Sequence, residues 1–450
     1  MVIVGGGFTG AALAIHAMRA AAQPLDITIL EPRAELGRGV AYGTTDRSHR
    51  INVPSDRMNV AAADSGAATA WFRAQGILPE TGGEASTYVP RAAYGTYIGD
   101  LLARTRAAAG ARVRLHHRRT TATAVHPAGG AWTVETGTGA RIAADRVALC
   151  FGHAVPALPC PLGQGVATSR RFVPDPWAAD ALAGIEPEAT VLIVGTGLTM
   201  ADVVTSLRAG GHRGRITAVS RRGLLPKAHG IFLTSLDVLG PERPGTALDL
   251  LRLLRRRVAA ADGALGWQPV LDSFRKVLPD LWNDLPPRER RRVVRRLLPF
   301  WEVHRFRIAP QIADALERAR AEGHLRVERA AVTGLTRAGD GRLEAALRRG
   351  GTVERRPFDA VVLCTGPERD VSRNPLVARL LADGTASLDA VGLGLAVDRR
   401  SRVRDAAGEP RPGLYAFGPM TRGSFGEMSG ATDIAHHIEA VVGGLLDPKP

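Results

Sequence analysis

The sequence predicts an α/β fold with two Rossmann-like dinucleotide-binding domains and a helical insertion. The main observation is a pattern that occurs twice: a short apolar strand, a glycine-rich turn, a helix and a second apolar strand. The first copy occupies residues 2–31 and the second occupies residues 191–221. Because a strand followed by such a turn and a helix forms the nucleotide-binding half of an open parallel sheet, the repeat predicts two nucleotide sites.

The two copies have the same spacing but end in opposite charges. Gly5 precedes Glu31 by 26 positions, and Gly195 precedes Arg221 by 26 positions as well. A carboxylate at this place accepts hydrogen bonds from a ribose 2′-hydroxyl, whereas an arginine suits a 2′-phosphate. The sequence therefore predicts two different dinucleotides in one chain, FAD at the first copy and NADPH at the second.

The first turn has the full G-x-G-x-x-G pattern at residues 5–10 (GGGFTG). Gly5 allows the tight turn, Gly7 lets the backbone approach a pyrophosphate, and Gly10 lets the helix pack closely on the strand. The helix that follows presents free N–H groups and the positive end of its dipole to the diphosphate. An ordinary glycine turn is the alternative interpretation, but it does not account for Glu31.

The second turn, residues 195–200 (GTGLTM), has Met200 where the third glycine would stand. We expect a slightly looser approach of helix to strand at this point. Ser220, Arg221 and Arg222 follow the second strand of this copy. One guanidinium can pair with two oxygens of a 2′-phosphate while the serine hydroxyl adds a donor. The alternative is a surface arginine pair at a strand end.

Between and after the two copies, residue patterns predict the remaining elements. Turn residues and alternating polarity at residues 36–43 and 49–59 predict loops and short strands rather than helix. A helix is predicted over residues 93–108 and another over 431–445, and Gly129-Gly130 is predicted to be a hairpin turn. Strands are also predicted near residues 325–327 and 343–347.

Two apolar strands that stop at a glycine mark the crossings between domains. They end at Gly152 and Gly366, within similar sequences at residues 149–152 (LCFG) and 363–366 (LCTG). Small residues there would let the backbone lie against a cofactor. An ordinary boundary between a strand and a turn is the alternative for both.

These crossings predict a discontinuous domain organisation. We expect an FAD-binding domain made from residues 1–165 and 366–450, with an NAD(P)H-binding domain at residues 166–365 inserted in its middle. Apolar positions at three- and four-residue spacing predict that the insertion is mostly helical at about residues 240–325.

Composition narrows the class of protein. The 450 residues are 45% hydrophobic, and no apolar run approaches the roughly 20 residues that a transmembrane helix needs. The first strand begins at once, without the charged and apolar regions of a secretion signal. We therefore expect a cytoplasmic protein with no membrane partner.

The net charge of +15 raises the possibility of nucleic-acid binding. The excess is nearly all arginine, only 5% of residues are aromatic, and no stacking motif lies among the arginines. We therefore expect no nucleic-acid partner, and an anionic substrate or cofactor is a better use of this charge. The three cysteines, Cys150, Cys160 and Cys364, form no C-x-x-C pair, so we expect no metal site and no redox-active disulfide. Cys150 and Cys364 end apolar strands, and we expect their thiols to be buried and inert.

Candidate catalytic residues lie in two segments. Arg50, Asn52 and Met58 belong to a loop of the kind that reaches a flavin ring, and Asn52 is predicted to hydrogen-bond near its reactive edge; a turn-forming asparagine is the alternative. His304 and Arg305 are predicted to hold a carboxylate or an anionic heterocycle, although a solvated or acid-paired helix end explains them equally well.

His229-Gly230 is a further candidate, for the nicotinamide site. The residues predicted to contact FAD or NADPH follow from the two turns, the strand ends and the adjoining loops. They are Gly5, Gly7, Phe8, Thr9, Gly10, Glu31, Arg38, Asn52, Val53, Met58, Val125, Gly152, Gly418, Gly195, Gly197, Leu198, Thr199, Ser220, Arg221, Arg222, Thr365 and Gly366.

Short segments spread over nearly the whole chain carry a family resemblance. With the first turn they are residues 39–42 (GVAY), 52–54 (NVP), 90–91 (PR), 94–95 (YG), 220–226 (SRRGLLP) and 364–367 (CTGP). Together they resemble the bacterial FAD/NAD(P)-binding oxidoreductases, a group that includes a FAD-dependent urate hydroxylase. More distantly the chain is similar to the two-dinucleotide flavin monooxygenases, including the amino-acid N-hydroxylases, with their glutathione-reductase-like fold. Members of the first group usually have a tryptophan before the glutamate that corresponds to Glu427, where this chain has Gly426.

The resemblance implies an FAD-dependent, NADPH-using monooxygenase for a small anionic or nitrogen-containing substrate. In that mechanism NADPH passes a hydride to flavin N5, and the reduced flavin reacts with O₂ to give a C4a-(hydro)peroxide that oxygenates the substrate. Urate or another anionic heterocycle is the first substrate hypothesis, and an amino acid or amine is the second. An NAD(P)H:acceptor reductase without oxygenation and a nucleotide-sensing protein without turnover are the alternative functions.

Overall fold

The computed structural model describes residues 1–79, 87–152, 156, 158–230, 242–261, 266–366, 368 and 370–447. The chain has an α/β fold in which two parallel or mostly parallel sheets carry the two glycine-rich turns, as the sequence predicts.

The strands of the described residues, in chain order, are β1 (Val2–Val4), β2 (Leu25–Leu30), β3 (Val113–Arg118), β4 (Ala122–Ala128), β5 (Ala131–Thr136), β6 (Arg141–Ala144), β7 (Val147–Leu149), β8 (Phe172–Val173), β9 (Val191–Val194), β10 (Ile216–Ser220), β11 (Leu325–Arg329), β12 (Ala331–Arg337), β13 (Leu343–Arg349), β14 (Thr352–Phe358), β15 (Ala360–Leu363), β16 (Arg402–Arg404) and β17 (Pro410–Ala416).

The α-helices of the described residues are α1 (Phe8–Ala20), α2 (Gly39–Tyr42), α3 (Ala67–Ala74), α4 (Arg91–Ala109), α5 (Leu198–Ala209), α6 (Ala247–Ala261), α7 (Trp267–Asp284), α8 (Pro287–Arg292), α9 (Leu298–Arg305), α10 (Pro310–Ala321), α11 (Pro375–Ala382), α12 (Arg422–Phe425) and α13 (Ala431–Leu446). A π-helical segment, Val293–Leu297, joins α8 to α9.

The first sheet is assembled from both ends of the chain. Its strand order is β16-β17-β7-β1-β2-β3, and β1 runs parallel to both of its neighbours. Helix α1 is buried from Phe8 to Met18 and packs against α4 and α13. Its many alanines suit this position, because small side chains let a helix lie close to a sheet and to two other helices.

The second sheet repeats the same arrangement in the middle of the chain. Its order is β11-β10-β9-β15-β8, with all four pairings parallel. Strand β9 lies between β10 and β15 as β1 lies between β2 and β7. Because ligands bind outside the carboxyl ends of such strands, both glycine-rich turns lie at the binding edge of their sheets.

Two small antiparallel sheets and a helical layer complete the fold. The sheets are β4-β5-β6 and β12-β13-β14. Helices α6 to α10 form the helical insertion, and its own apolar core includes Leu250, Phe274 and Leu281. The insertion lies between β10 and β11 in sequence, so it leaves the second sheet at the carboxyl end of β10.

Most of the predicted elements are confirmed. Helices α4 and α13 and the strands β11 and β13 lie at the predicted places, and both glycines of the hairpin turn between β4 and β5 have positive φ angles. The insertion is helical over its described part, whereas residues 240–241 and 262–265 of this prediction lie outside the described residues, as does Pro367 of the predicted strand stop.

The prediction of loop or strand at residues 36–43 is wrong over α2. The ring of Tyr42 packs on those of Phe8 and Tyr94, with centroids 6.0 Å and 4.8 Å away. These tertiary contacts stabilise a single helical turn that local propensity does not predict. Strands β12 and β14 were also not predicted, because most of β14 is exposed and polar and lacks a buried apolar face.

The first glycine of the second turn is the position where backbone geometry is most demanding. Gly195 has φ +119°, and a Cβ there would lie 2.0 Å from the carbonyl oxygen of Cys364. We predict that Gly195→Ala lowers the free energy of unfolding by at least about 2 kcal/mol, since the conformation and the overlap both penalise a side chain. Urea denaturation is the measurement. Gly197→Ala is the matched control, because nothing lies within 4 Å of a Cβ there; equal loss in both variants would contradict the prediction.

Candidate nucleotide sites and active centre

In each of the two strand-turn-helix copies, the segment that follows the neighbouring strand lies directly against the first glycine of the turn. A Cβ at Gly5 would lie 2.7 Å from Cα of Phe151, just beyond β7, as a Cβ at Gly195 would overlap Cys364 at the end of β15. The two predicted strand stops therefore lie at equivalent places, each against its own turn. Thr365 is exposed and Gly152 has open space around its Cα.

The first turn is tightly packed at the start of α1. A Cβ at Gly10 would lie 2.0 Å from the carbonyl oxygen of Gly5, so the helix approaches the strand as closely as the sequence predicts. Gly7 contacts Gly39 of α2, where a Cβ would lie 3.3 Å from the Gly39 Cα. At the second turn Met200 is fully buried in the core, so a large side chain replaces the close contact that Gly10 makes.

Glu31 lies beside the first turn and is buried. Its Oε2 accepts a hydrogen bond from the backbone N–H of Gly6 at 3.0 Å, and its Oε1 accepts from the backbone and side chain of Arg33. The carboxylate is therefore held at the carboxyl end of β2, within one residue of the turn that would cradle a pyrophosphate. Arg38 closes the adjoining loop by pairing with Glu35, with Nε and Oε2 2.7 Å apart.

The C-terminal part of the chain reaches the same turn. A Cβ at Gly418, just after β17, would lie 2.8 Å from Oγ1 of Thr9. The first site is therefore built from residues separated by more than 400 positions in sequence. The predicted contact residues Phe8, Met58 and Val125 are buried core residues, whereas Val53 is partly exposed.

The second turn is open and its surroundings are basic. Gly197 is exposed, and Leu198 and Thr199 at the start of α5 are partly exposed. Oγ of Ser220 accepts from the backbone N–H of Gly223 at 2.9 Å and contacts Oγ1 of Thr196 at 2.8 Å, which shapes the turn after β10. Arg221 and Arg222 are both exposed, and Arg222 lies over the ring of Phe300 in the insertion, 5.6 Å from its centroid.

A third arginine, which the sequence pattern does not indicate, lies beside the turn after β10. Arg329 at the end of β11 is in register with Ser220, and a Cβ at Gly223 would lie 3.4 Å from its Cβ. Within the described residues none of Arg221, Arg222 and Arg329 has a carboxylate partner, whereas Arg326 on the same strand pairs with Glu328. Only the parallel pairing of β10 with β11 brings Arg329 to the turn, so no local motif could have indicated it.

The loop that precedes α3 is tied to the start of α4 by one arginine. Arg91 donates from Nε to the carbonyl oxygen of Arg50 at 2.8 Å and from Nη2 to Oδ1 of Asn52 at 3.4 Å. The Arg50 guanidinium donates to the carbonyl oxygen of Tyr88 at 3.3 Å, and partial burial lowers its pKa. Asn52 is thus oriented by a side chain rather than by a local turn. The sequence indicates Arg91 only through the family resemblance of residues 90–91 and not through a role at Asn52.

The insertion contributes a buried network of charges rather than a free cation. Arg305 has 9% of its side chain exposed and pairs with Asp433 at 2.7 Å and with Glu427 at 3.5 Å. Nδ1 of His304 contacts the carbonyl oxygen of Phe300 at 2.7 Å within its own helix. Of the two interpretations of this segment, the acid-paired helix end agrees with these contacts, because two carboxylates lie beside the Arg305 guanidinium.

The glycine at position 426 is covered by a tryptophan from the insertion. A Cβ at Gly426 would lie 2.8 Å from Cγ of Trp282, and Nε1 of Trp282 donates to the carbonyl oxygen of Gly423 at 2.7 Å. The indole is buried, and α7 packs against α12. The insertion therefore fixes the segment that follows Gly418, next to the first turn.

His229 lies at the junction of the second sheet with the insertion and the loop before α4. Its ring meets that of Tyr88 edge to face at 5.7 Å, and Nδ1 contacts the carbonyl oxygen of Gly230 at 3.0 Å. Burial, with a smaller effect of the Arg307 charge, lowers the pKa of His229 to about 4. At neutral pH this imidazole is uncharged.

All three cysteines are buried, as predicted for Cys150 and Cys364. Burial raises the pKa of Cys150, Cys160 and Cys364 above the ordinary value, and the three thiols are free. Over the part of the chain that the structure describes, no three acidic, histidine or cysteine side chains lie together as a metal site would require. Among the same residues no helix combines the length and apolarity that crossing a membrane demands.

Comparison with known proteins shows the fold. A model of an FAD-NAD(P)-binding family matches residues 2–154, which include the first glycine-rich turn and β7. No curated protein sequence is significantly similar to the chain.

Solved structures match over almost the whole length. The L-lysine 6-monooxygenase of Pseudomonas syringae is similar with a TM-score of 0.67, 19% identity and coverage of 99% of both chains. The ornithine N-hydroxylase of Kutzneria sp. 744 has a TM-score of 0.65, 16% identity and coverage of 99% of this chain and 98% of the other. T. acidophilum thioredoxin reductase matches less closely, with a TM-score of 0.52, 14% identity and coverage of 98% and 97%.

The lowered pKa of His229 predicts a pH effect on stability. Because the folded pKa is about 4 and the ordinary value is 6.5, the unfolded chain binds more protons between these values. The stability from keeping this ring neutral is complete above pH 6.5 and is lost as the pH falls towards 4. We predict that this loss is about 2 kcal/mol smaller in His229→Gln than in the parent protein. Urea unfolding at pH 7 and pH 4.5 measures it, and identical pH dependence in both proteins would contradict the assignment.

Proposed function

We propose that the protein is an FAD-dependent, NADPH-using monooxygenase that oxygenates a small nitrogen-containing substrate. The observation that carries this proposal is the pairing of two nucleotide units with opposite terminal charges in one chain whose whole length, insertion included, corresponds to amine hydroxylases. The first unit, made from residues 1–165 and 366–450, is the FAD domain, and the inserted residues 166–365 are the NADPH domain.

The residues at the first site fit FAD. The close packing of Gly10 on Gly5 places the start of α1 at the carboxyl end of β1, where its N–H groups would meet a diphosphate, and Glu31 lies one residue beyond β2, where a ribose hydroxyl would donate to it. Gly418 brings the C-terminal segment to Thr9. A site formed from both ends of the chain suits a cofactor that stays bound.

The residues at the second site fit NADPH. Gly197 is exposed, and three arginines without a carboxylate partner among the described residues surround the turn after β10. The register of β10 with β11 brings Arg329 beside Arg221 and Arg222, so three positive charges lie around one turn. A 2′-phosphate supplies the missing negative charge.

When bound, NADPH supplies a hydride and FAD supplies the reaction with O₂, so the chain's own residues have positioning tasks. The insertion, through Trp282 and the Arg305 network, holds the segment after Gly418. Asn52 offers an amide donor at the flavin end of the loop before α3. The neutral ring of His229 leaves the nicotinamide side without an added positive charge.

The substrate class follows from the charges near the insertion. Because Asp433 and Glu427 neutralise Arg305, that arginine gives no support to urate or another anionic heterocycle. The structurally similar proteins are named for hydroxylation of ornithine and lysine. An amine or amino acid is therefore the better supported substrate, acting as the nitrogen nucleophile.

An NAD(P)H:acceptor reductase is the second candidate, since a thioredoxin reductase shares the fold. A dithiol mechanism is disfavoured because the three cysteines are buried and none pairs with another in sequence or in space. The second candidate is therefore the reduction of an acceptor other than a disulfide, without oxygenation of a substrate.

The 2′-phosphate assignment predicts a selective loss. Arg221→Ala should weaken NADPH binding by about tenfold and leave NADH unchanged, because the lost group is a charge-assisted donor to the phosphate. Arg329→Ala should act in the same direction. Steady-state KM values for both nucleotides measure this, with Arg326→Ala as the control because Arg326 is already paired with Glu328. Equal weakening of both nucleotides by Arg221→Ala would rule out the assignment.

The oxygenation itself predicts a coupled product. A panel of amines, amino acids and urate should contain a compound that accelerates NADPH oxidation at least about tenfold and gains one oxygen by mass spectrometry. Quantitative H₂O₂ with no oxygenated product for any compound, together with fast reduction of artificial acceptors, would instead support the reductase.

A further inference from the structure

A buried ion pair joins the two nucleotide-binding units. Arg91, at the start of α4 in the first unit, lies against Asp202 in α5 of the second, with 2.8 Å between Nη1 and Oδ2 and 3.3 Å between Nη2 and Oδ1. Only 10% and 4% of these side chains are exposed. Helix α5 begins at the second glycine-rich turn, so Asp202 lies four residues into the helix that NADPH would contact.

A second polar contact follows one helical turn later. Oγ of Ser206 donates to Oδ2 of Asp46 at 2.5 Å and lies 2.8 Å from Nε2 of His49. Asp202 and Ser206 are spaced i, i+4 and therefore share one face of α5. This face is directed at the loop of residues 44–58. Trp177 packs on His49 of this loop and on Arg91 of α4. Its ring centroid lies 5.4 Å from that of His49 and 5.7 Å from the Arg91 guanidinium.

The same guanidinium determines which way the amide of Asn52 faces. Arginine has only hydrogen-bond donors, so the group that faces it at 3.4 Å must be the amide oxygen. The Nδ2 group then points away from Arg91, and within the described residues it donates to no protein acceptor. Its two N–H donors are available to a ligand.

Stability alone does not explain the pair. Removing two charges from water costs free energy that their attraction often fails to recover, so apolar replacement of both partners is commonly neutral or stabilising. A guanidinium that contacts Asp202, the backbone of Arg50 and Asn52 at once has a geometric role that apolar side chains cannot supply.

We propose that Arg91 is a positioning residue that ties the amide of Asn52 to helix α5, so that the donor from Asn52 to the flavin is aligned only when the second nucleotide unit is in place. The identity of the flavin as the acceptor rests on the proposed function. The physical link between α5 and the loop of residues 44–58 does not.

The test compares three variants of the full-length protein with FAD bound. They are Asn52→Leu, the apolar pair Arg91→Met with Asp202→Leu, and the combination of all three changes. Arg104→Ala is the matched control, because Arg104 lies on the same helix α4 in an exposed pair with Asp100. Thermal unfolding first establishes that each variant folds.

The expected results separate positioning from folding. Asn52→Leu and the apolar pair should each slow anaerobic flavin reduction by NADPH at least about tenfold and shift the flavin absorbance spectrum in the same way. The triple change should be no worse than either, since groups that act as one unit are not additive. KM for NADPH should change much less than kcat. The proposal would be overturned if the variant with the apolar pair reduced its flavin at the rate of the parent protein. Additive losses of this rate in the triple variant would also overturn it.

A readout without turnover tests the link itself. Adding 2′,5′-ADP to the protein should slow amide hydrogen exchange at residues 49–52 in the parent protein and in Arg104→Ala, but not in the apolar pair. No slowing in the parent, with binding of 2′,5′-ADP verified by calorimetry, would overturn the link. If the link holds but NADPH reduces no bound flavin in the parent protein, then the proposed function fails instead.

Discussion

The structure depends on the close passage of one backbone over another at two equivalent points. In each unit the first glycine of the turn lies against the segment that follows the neighbouring strand, Gly5 against Phe151 and Gly195 against Cys364, at distances that leave no room for a side chain. The helix that follows each turn begins three residues after this contact, at Phe8 and at Leu198. The carboxyl ends of the strands, and with them Glu31 and Arg221, are then placed around the mouth of each turn.

The arginines of this chain differ in whether they have a carboxylate partner. Around the insertion, the largely buried Arg305 and the buried Arg307 form ion pairs with carboxylates. Around the second turn, Arg221 and Arg222 are exposed without such partners among the described residues. In the proposed function, the 2′-phosphate of NADPH would supply the counter-charge to these arginines. Since Arg305 and Arg307 already have carboxylate partners, these arginines do not support an anionic substrate at the insertion.

The local devices of this protein were predictable because they depend on short-range geometry. The two turns, their following helices and the hairpin at Gly129-Gly130 follow from glycine positions and apolar periodicity, and they lie where the sequence predicts them. Helix α2 was not predictable in this way, since it depends on Tyr42 packing between rings from α1 and α4. The position of Arg329 was not predictable for the same reason, because it reaches the second turn only through the register of β10 with β11.

The sequence by itself determined the number of nucleotide units, the class of the fold and the opposite charges at the ends of the two units. These features are encoded within 26-residue intervals, over which backbone geometry and hydrogen bonding act directly. Only the tertiary structure decided which charged groups are free, that Trp282 covers Gly426, and that Arg91 meets Asp202 across the two units. Such pairings join segments more than 100 residues apart, and the energy of a charge depends on the partners and the burial that packing creates rather than on its neighbours in sequence.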